Sequence, residues 1–208
     1  MPSPITCRIS ELSYRYGVQW LFRNLDAVFR SGEINLISGA NGAGKSTLLR
    51  LIAGALEAEK GSIILEKNGS VMEEDDRWKQ IALVAPYQEL PEEFSLSELI
   101  DIQDRFLPGD ESQKKYREGL ATLFGLKGVL HKAIRDYSTG MKQKARLVLA
   151  FADNRPVCLL DEPGSNLDVA SCQVLHDFLR SEAGKKLVIL ASNDPAEIAL
   201  ASAVLKLS

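Results

Sequence analysis

The chain has 208 residues, and its 28 acids against 25 Lys and Arg leave a net charge of −3. That length suits one domain with a sizeable core, and that charge argues against nucleic acid, which would favour a basic face, so no nucleic-acid partner is expected. No run of about 18 apolar residues is present to span a bilayer, Met1-Pro-Ser-Pro lacks a charged-then-apolar leader pattern, and Cys7, Cys158 and Cys172 follow no metal spacing and fit a reducing compartment.

In chain order, residues 5–38 read as short strands about turns at Tyr16-Gly17 and Ser31-Gly32, ending in the apolar strand Glu33–Ser38. A glycine-rich turn follows, and then Leu48, Leu49, Ile52, Ala53 and Leu56 recur at helical spacing. Ser62–Glu66 reads as a strand, bounded by Gly61 and by an Asn68-Gly69 hairpin signal. Val71–Lys79 is acidic and expected to be exposed, and Gln80–Ala85 is another apolar strand. Three helical patterns come next: Leu96, Leu99, Ile100 and Gln103; then Lys114–Leu126; then Gly140–Ala152. Pro108-Gly109-Asp110 is the clearest break among them. Ser138 is a natural N-cap for the third. The basic residues from Lys142 to Arg146 read as a solvated helix face. Val157–Leu160 is fully apolar, as expected of a parallel strand buried on both faces, and a helix over 170–182 and a strand over 186–191 restore α/β alternation. No internal repeat or low-complexity tract interrupts this order.

Two motifs carry chemistry. Gly39, Ala40, Asn41, Gly42, Ala43, Gly44, Lys45, Ser46 and Thr47 fit the phosphate-loop pattern, set between a strand and a helix as that pattern requires. Backbone N–H groups and the helix N-terminus favour an anion there. Lys45 is suited to the β- and γ-phosphates of a nucleoside triphosphate and the Ser46 hydroxyl to Mg²⁺. The second motif is Asp161-Glu162-Pro163, at the carboxyl end of the buried strand, where open α/β sheets bind ligands. Asp161 is the second metal-side group, and Glu162 is placed to poise a water for attack on the γ-phosphorus.

Between them lies Tyr137-Ser138-Thr139-Gly140-Met141-Lys142-Gln143-Lys144. With this segment some twenty residues before the acidic strand, the chain resembles the ATP-binding cassette (ABC) family over essentially its whole length. Gly39–Thr47 looks like the Walker A motif, Val157–Glu162 like Walker B, Ser138–Met141 like a variant of the signature, and Ser165-Asn-Leu-Asp168 like the D-loop. The family's usual signature reads Leu-Ser-Gly-Gly-Gln; Thr139 and Met141 depart from it in a way similar to exporter-type ATPases. The resemblance implies an α/β P-loop NTPase fold: a RecA-like core with a β-rich N-terminal portion (residues 1–88 and 154–208) and an inserted helical subdomain (89–153). It implies ATP and Mg²⁺ as ligands, and a second copy of the chain paired head to tail. In that pairing Ser138 and Gly140 of one copy meet the ATP on the Walker A of the other, and Asp168 lies at the interface. As a helix cap, Asp168 needs no partner.

The resemblance also assigns a stacking aromatic to Tyr16, with Tyr14 as the competing candidate. It assigns a metal- and partner-coupling glutamine to Gln88, although Tyr87 occupies the slot where that glutamine is expected. The family's switch histidine is replaced by Asn193, which puts hydrolysis rate, not nucleotide binding, in question. His131 and His176 match no site, and His176 is expected on the surface or half-buried. The implied function is an ATP-hydrolysing subunit that powers a membrane transporter of exporter type. It would be cytoplasmic, held on the inner face of the membrane by a separate permease docked near Tyr87–Phe94. The alternatives are a soluble ABC ATPase of assembly or repair, and a nucleotide-sensing module of low turnover.

Overall fold

The computed structural model describes residues 4–73, 77–106, 111–152 and 155–207. They divide into two compact units: Met1–Leu83 with Arg155–Glu162 and Phe178–Ser208, and Val84–Asn154 with Pro163–Asp177. The second unit thus takes in Pro163–Asp177, a stretch assigned to the core by the sequence reading.

The first unit holds two sheets. Strands β1 (Ile5–Tyr16), β2 (Gln19–Arg30), β4 (Lys60–Lys67) and β5 (Ser70–Val71) form an antiparallel sheet in the order β2-β1-β4-β5. The expectation of short strands over residues 5–38 is corrected here, because β1 and β2 are each 12 residues long. Bulges carry the pairing through irregular positions: the register shifts between Ile9 and Leu12, and Glu11 and Asn24 both take φ 49°. The β4–β5 hairpin turns at Asn68 (φ 55°) and Gly69 (φ 78°), the positive-φ pair that the Asn-Gly signal demands.

The second sheet is ordered β6-β7-β8-β3-β9, from β6 (Ile81–Val84), β7 (Val157–Asp161), β8 (Leu187–Ala191), β3 (Ile34–Ser38) and β9 (Ala203–Lys206), with parallel pairing among β7, β8, β3 and β9. All five residues of β7 and of β8 are buried, which explains their unbroken apolar sequence. Helix α1 (Lys45–Ile52) follows β3, and Leu48, Leu49, Leu51 and Ile52 join one buried cluster with Ile5, Cys7 and Ile9 of β1 and with Val157, Leu159, Leu187 and Ile189. The cluster ties the two sheets together and fixes the ends of β3, β7 and β8, from which the site is built. Burial pushes the Cys7 thiol up to about 12 and the Cys158 thiol up to about 11, so both act as small apolar side chains. Val71, Glu73 and Lys79 are exposed as expected, but Arg77, which starts helix α2 (Arg77–Gln80), is a correction to the exposed 71–79 segment: it is buried and donates to the Ile63 carbonyl. Helix α7 (Pro195–Leu200) is capped by Asp194, whose Oδ1 accepts from the Ala196 and Glu197 N–H groups.

The second unit contains α3 (Leu96–Phe106), α4 (Glu111–Leu123), α5 (Thr139–Ala152) and the N-terminal part of α6 (Val169–Ala183). The buried Arg117 of α4 joins the three helices, pairing with Asp104 of α3 and donating to the Ala152 carbonyl at the end of α5 (3.1 Å). The expected break at Pro108-Gly109-Asp110 lies outside the described residues. His176 is buried in α6 at 8% exposure, a correction to the surface or half-buried position expected of it.

Candidate nucleotide site

Strand β3 ends at Ser38 and α1 begins at Lys45, so residues 39–44 form the turn between them. Gly44 has φ 99°, and a Cβ there would lie 2.7 Å from the Phe22 ring and 2.8 Å from Leu21; both the backbone twist and the space require glycine. Lys45 is buried, and its Nζ donates to the Gly39 carbonyl (2.9 Å) and the Ala40 carbonyl (3.4 Å). The ammonium is thus tethered to its own loop by neutral acceptors, which a phosphate oxygen would outbid.

A cavity of about 500 Å³ opens over this turn, lined by Tyr16, Gln19, Leu21, Asn41, Gly42, Gly44, Lys45, Ser46, Thr47 and Glu162. Tyr16 ends β1 across a two-residue turn from Gln19. Its hydroxyl lies 3.5 Å from Thr47 Oγ1, and the residue, 52% exposed, lines the cavity. Tyr14 packs edge to face against it, 5.2 Å between ring centres, and joins the core instead. Gln19 and Leu21 were missed by sequence reasoning; register with Tyr16 brings them in.

Asp161 ends β7 at 2% exposure, and its Oδ1 has no hydrogen-bond partner among the described residues. Burial raises its pKa, while a bond from the Ser46 hydroxyl and the charges of Arg50 and Lys45 pull it back. A buried carboxylate oxygen without a partner, bonded through its carboxyl to a hydroxyl at a phosphate turn, fits the hard oxygen donor set of Mg²⁺. Glu162 follows at φ 47°, a left-handed conformation unusual for a glutamate. Its N–H donates to the Ala191 carbonyl (2.9 Å) and its Oε2 accepts from Ser192 Oγ (3.4 Å). Burial raises its pKa too, with the Asp161 charge adding to the rise and Lys45 opposing it. Asn193 is exposed, and its Nδ2 donates to Asn41 Oδ1 in the phosphate turn (3.1 Å), joining residues 152 positions apart.

The other site residues named from sequence lie in the second unit. Ser138 caps α5, its Oγ accepting from Met141 N–H (3.2 Å). Gly140 is required by space, since a Cβ there would sit 2.8 Å from the Asn166 carbonyl. Asp168 caps α6 through Ser171 (Oδ1 to N–H, 2.8 Å; Oδ2 to Oγ, 3.0 Å), and those bonds hold its carboxyl below the usual range. Gln88 Oε1 accepts from Ala85 N–H in its own turn (2.9 Å), which uses one of the two lone pairs of that oxygen. The basic stretch expected to be solvated is engaged instead. Lys142 pairs with Glu92 (2.5 Å), and Lys144 with Asp168 (3.7 Å). Arg146 donates to the Gln88 carbonyl (2.7 Å) and to Gln143 Oε1 (3.1 Å). The buried Gln143, also missed from sequence, donates to the Pro163 carbonyl next to Glu162 (2.9 Å).

A family profile described as ABC transporter matches residues 22–165, a span that runs from β2 through the phosphate turn, the Ser138 turn and Asp161-Glu162. The chain belongs to the ABC transporter family. Among curated proteins, this ABC ATP-binding subunit is similar to the cytochrome c biogenesis ATP-binding export protein CcmA of Novosphingobium aromaticivorans, at 31% identity over 89% of the chain and 87% of the relative. It is also similar to the ABC transporter ATP-binding protein NatA of Bacillus subtilis, at 27% identity over 82% of the chain and 70% of the relative. Among solved structures, an ATP binding subunit of an ABC transporter superposes with a TM-score of 0.87 at 27% identity, covering 97% of this chain and 85% of that one. A bacterial Atm1-family ABC exporter with ATP bound superposes at 0.84 and 18% identity, covering 100% of this chain and 38% of that one, a likeness of fold. The ABC ATP-binding fold expected from the motifs is therefore the fold of this chain.

Proposed function

We propose that this ABC subunit binds and hydrolyses ATP to power a transporter of exporter type, pairing with a second copy of itself across its ATP sites. The observation that carries the reading is the convergence, in one cavity of about 500 Å³, of Tyr16, the phosphate turn and Glu162, with the partnerless Asp161 Oδ1 beside Ser46. Tyr16 offers a ring face for adenine at one edge, and stacking of an aromatic on a base is worth about 1–3 kcal/mol in nucleic-acid systems. Lys45 and the N–H groups at the start of α1 take the β- and γ-phosphates. Ser46 and Asp161 would hold Mg²⁺, which when bound neutralises phosphate charge. Glu162 accepts the hydrogen bond, and then the proton, of the water whose oxygen attacks the γ-phosphorus as the bond to the bridging oxygen breaks, leaving ADP and phosphate.

Two further parts of the reading follow the relatives. One neighbour is described as the ATP binding subunit of an ABC transporter, which supports a separate permease, docked near the exposed Tyr87 and Phe94, with this subunit on the cytoplasmic face. No helix among the described residues is long and apolar enough to cross a membrane. Relatives named as export proteins support the outward direction. Turnover is slow, because Asn193 offers the γ-phosphate a neutral amide N–H in place of an imidazolium. The deciding experiment is ATP titration with Mg²⁺ by calorimetry together with steady-state phosphate release. Micromolar binding with slow release supports the reading; absence of binding sinks it.

A further inference from the structure

We infer that Ser192 is the positioning residue that aims the Glu162 carboxylate, holding it from the tip of β8 at the side chain while Ala191 holds it at the backbone. This rests on the reading of Glu162 as the residue that poises water.

Glu162 has left the strand geometry of β7, and its φ of 47° has no glycine to relieve it. A left-handed non-glycine residue is strained and persists only where its surroundings over-determine it. Here two adjacent residues do so, the last of β8 and the first of the loop that follows it. The Glu162 N–H donates to the Ala191 carbonyl (2.9 Å), and Glu162 Oε2 accepts from the next residue, Ser192 (3.4 Å). Backbone and carboxylate are therefore both referred to the end of β8, whose register with β7 pairs Asp161 with Ala191.

The hydrogen accounting at Ser192 fixes the direction of its bond. Ser192 is fully buried, and its Oγ already accepts the Asp194 N–H (3.0 Å). A hydroxyl has one hydrogen, and Glu162 Oε2 is the acceptor within reach. Ser192 thus acts as a donor to the carboxylate, leaving Oε1 without a hydrogen-bond partner among the described residues and open to a water. The same three-residue loop places Asn193 on Asn41 and Asp194 on the α7 N-terminus. The loop that meets the phosphate turn also aims the water-poising group, which is a physical reason for a hydroxyl at position 192.

The test compares Ser192→Ala, Ser192→Cys and Ser192→Thr in the full chain, with ATP affinity and steady-state turnover measured on each. Ser192→Ala is expected to lower kcat about tenfold, with KM for ATP within about twofold of wild type, whereas Ser192→Thr keeps the hydroxyl and most of the rate. Ser192→Cys keeps the volume with only a weak donor, so it carries the test if the alanine variant does not fold. In a Glu162→Gln background, Ser192→Ala is expected to leave the residual single-turnover rate unchanged, because the hydroxyl acts through the carboxylate. Unchanged kcat in Ser192→Ala or Ser192→Cys overturns the inference, as does an equal loss of ATP affinity or a further loss in the Glu162→Gln background. If Glu162→Gln alone leaves turnover intact, the failure lies in the reading of Glu162.

Discussion

Around the phosphate turn, the charged side chains of the first unit have few protein partners. Among the described residues, Asp161 Oδ1 has none, Lys45 is held by two carbonyls of its own loop, and the Glu162 carboxylate has one hydroxyl. Around the Ser138 turn in the second unit, the opposite holds. Lys142, Gln143, Lys144, Arg146 and Asp168 are all bonded within the unit, in a chain that runs from the Gln88 carbonyl through Arg146 and Gln143 to the Pro163 carbonyl. Under-bonded charge in a cavity is capacity reserved for a ligand, whereas a satisfied network fixes a shape. The difference teaches that ligand affinity should reside in the first unit. The second unit presents a rigid helix start, at which the Ser138 hydroxyl still has its hydrogen to donate.

The largest break of this contrast is expected at Glu162. Glu162→Gln should lower phosphate release by about 100-fold or more while ATP still binds, and with ATP it should accumulate a dimer seen by sedimentation. An ATP-independent mass would count against the paired-subunit reading. Next comes Lys45→Ala, which removes a charged hydrogen-bond donor worth about 1.5–3 kcal/mol, so calorimetry with Mg²⁺ should show ATP binding weakened roughly 10- to 100-fold. Near-normal affinity would mean that the first unit's ligand capacity lies elsewhere. A smaller effect is expected of Asn193→His, which should raise turnover about tenfold, only about 1.4 kcal/mol of barrier, with ATP affinity little changed. A slower histidine variant with unchanged affinity would show that the Asn41–Asn193 contact is adapted to asparagine.

The smallest effect probes the second unit. The Asp168 carboxyl is depressed below its ordinary 3.8 by its bonds to Ser171. A depressed carboxyl contributes stability above its unfolded value and loses it as pH falls through the folded value. The stability gap between wild type and Asp168→Asn, read from urea unfolding, should therefore be full at neutral pH and close in acid. ATP affinity of the isolated chain should not differ between them. A loss of affinity in Asp168→Asn would blur the division between the two units.

Features set by contiguous residues were legible in the sequence. The phosphate turn lies between β3 and α1, the buried run Val157–Leu160 ends in two acids, Asn68-Gly69 makes a hairpin, and Ser138 and Asp168 cap helices. Each depends on backbone angles, periodicity or a cap within a few positions, and those are written in local residue order. What only the tertiary structure decided is long-range. β9 completes the parallel sheet beside β3, the basic stretch of α5 is spent on Glu92, Gln88 and Asp168, and Tyr16 lines the cavity over the phosphate turn beside Thr47. Ser192 meets Glu162 across 30 residues and Asn193 meets Asn41 across 152. Those contacts depend on which strands pair and in what register, and a shift of one residue in β8 would turn Ser192 to the other face of the sheet.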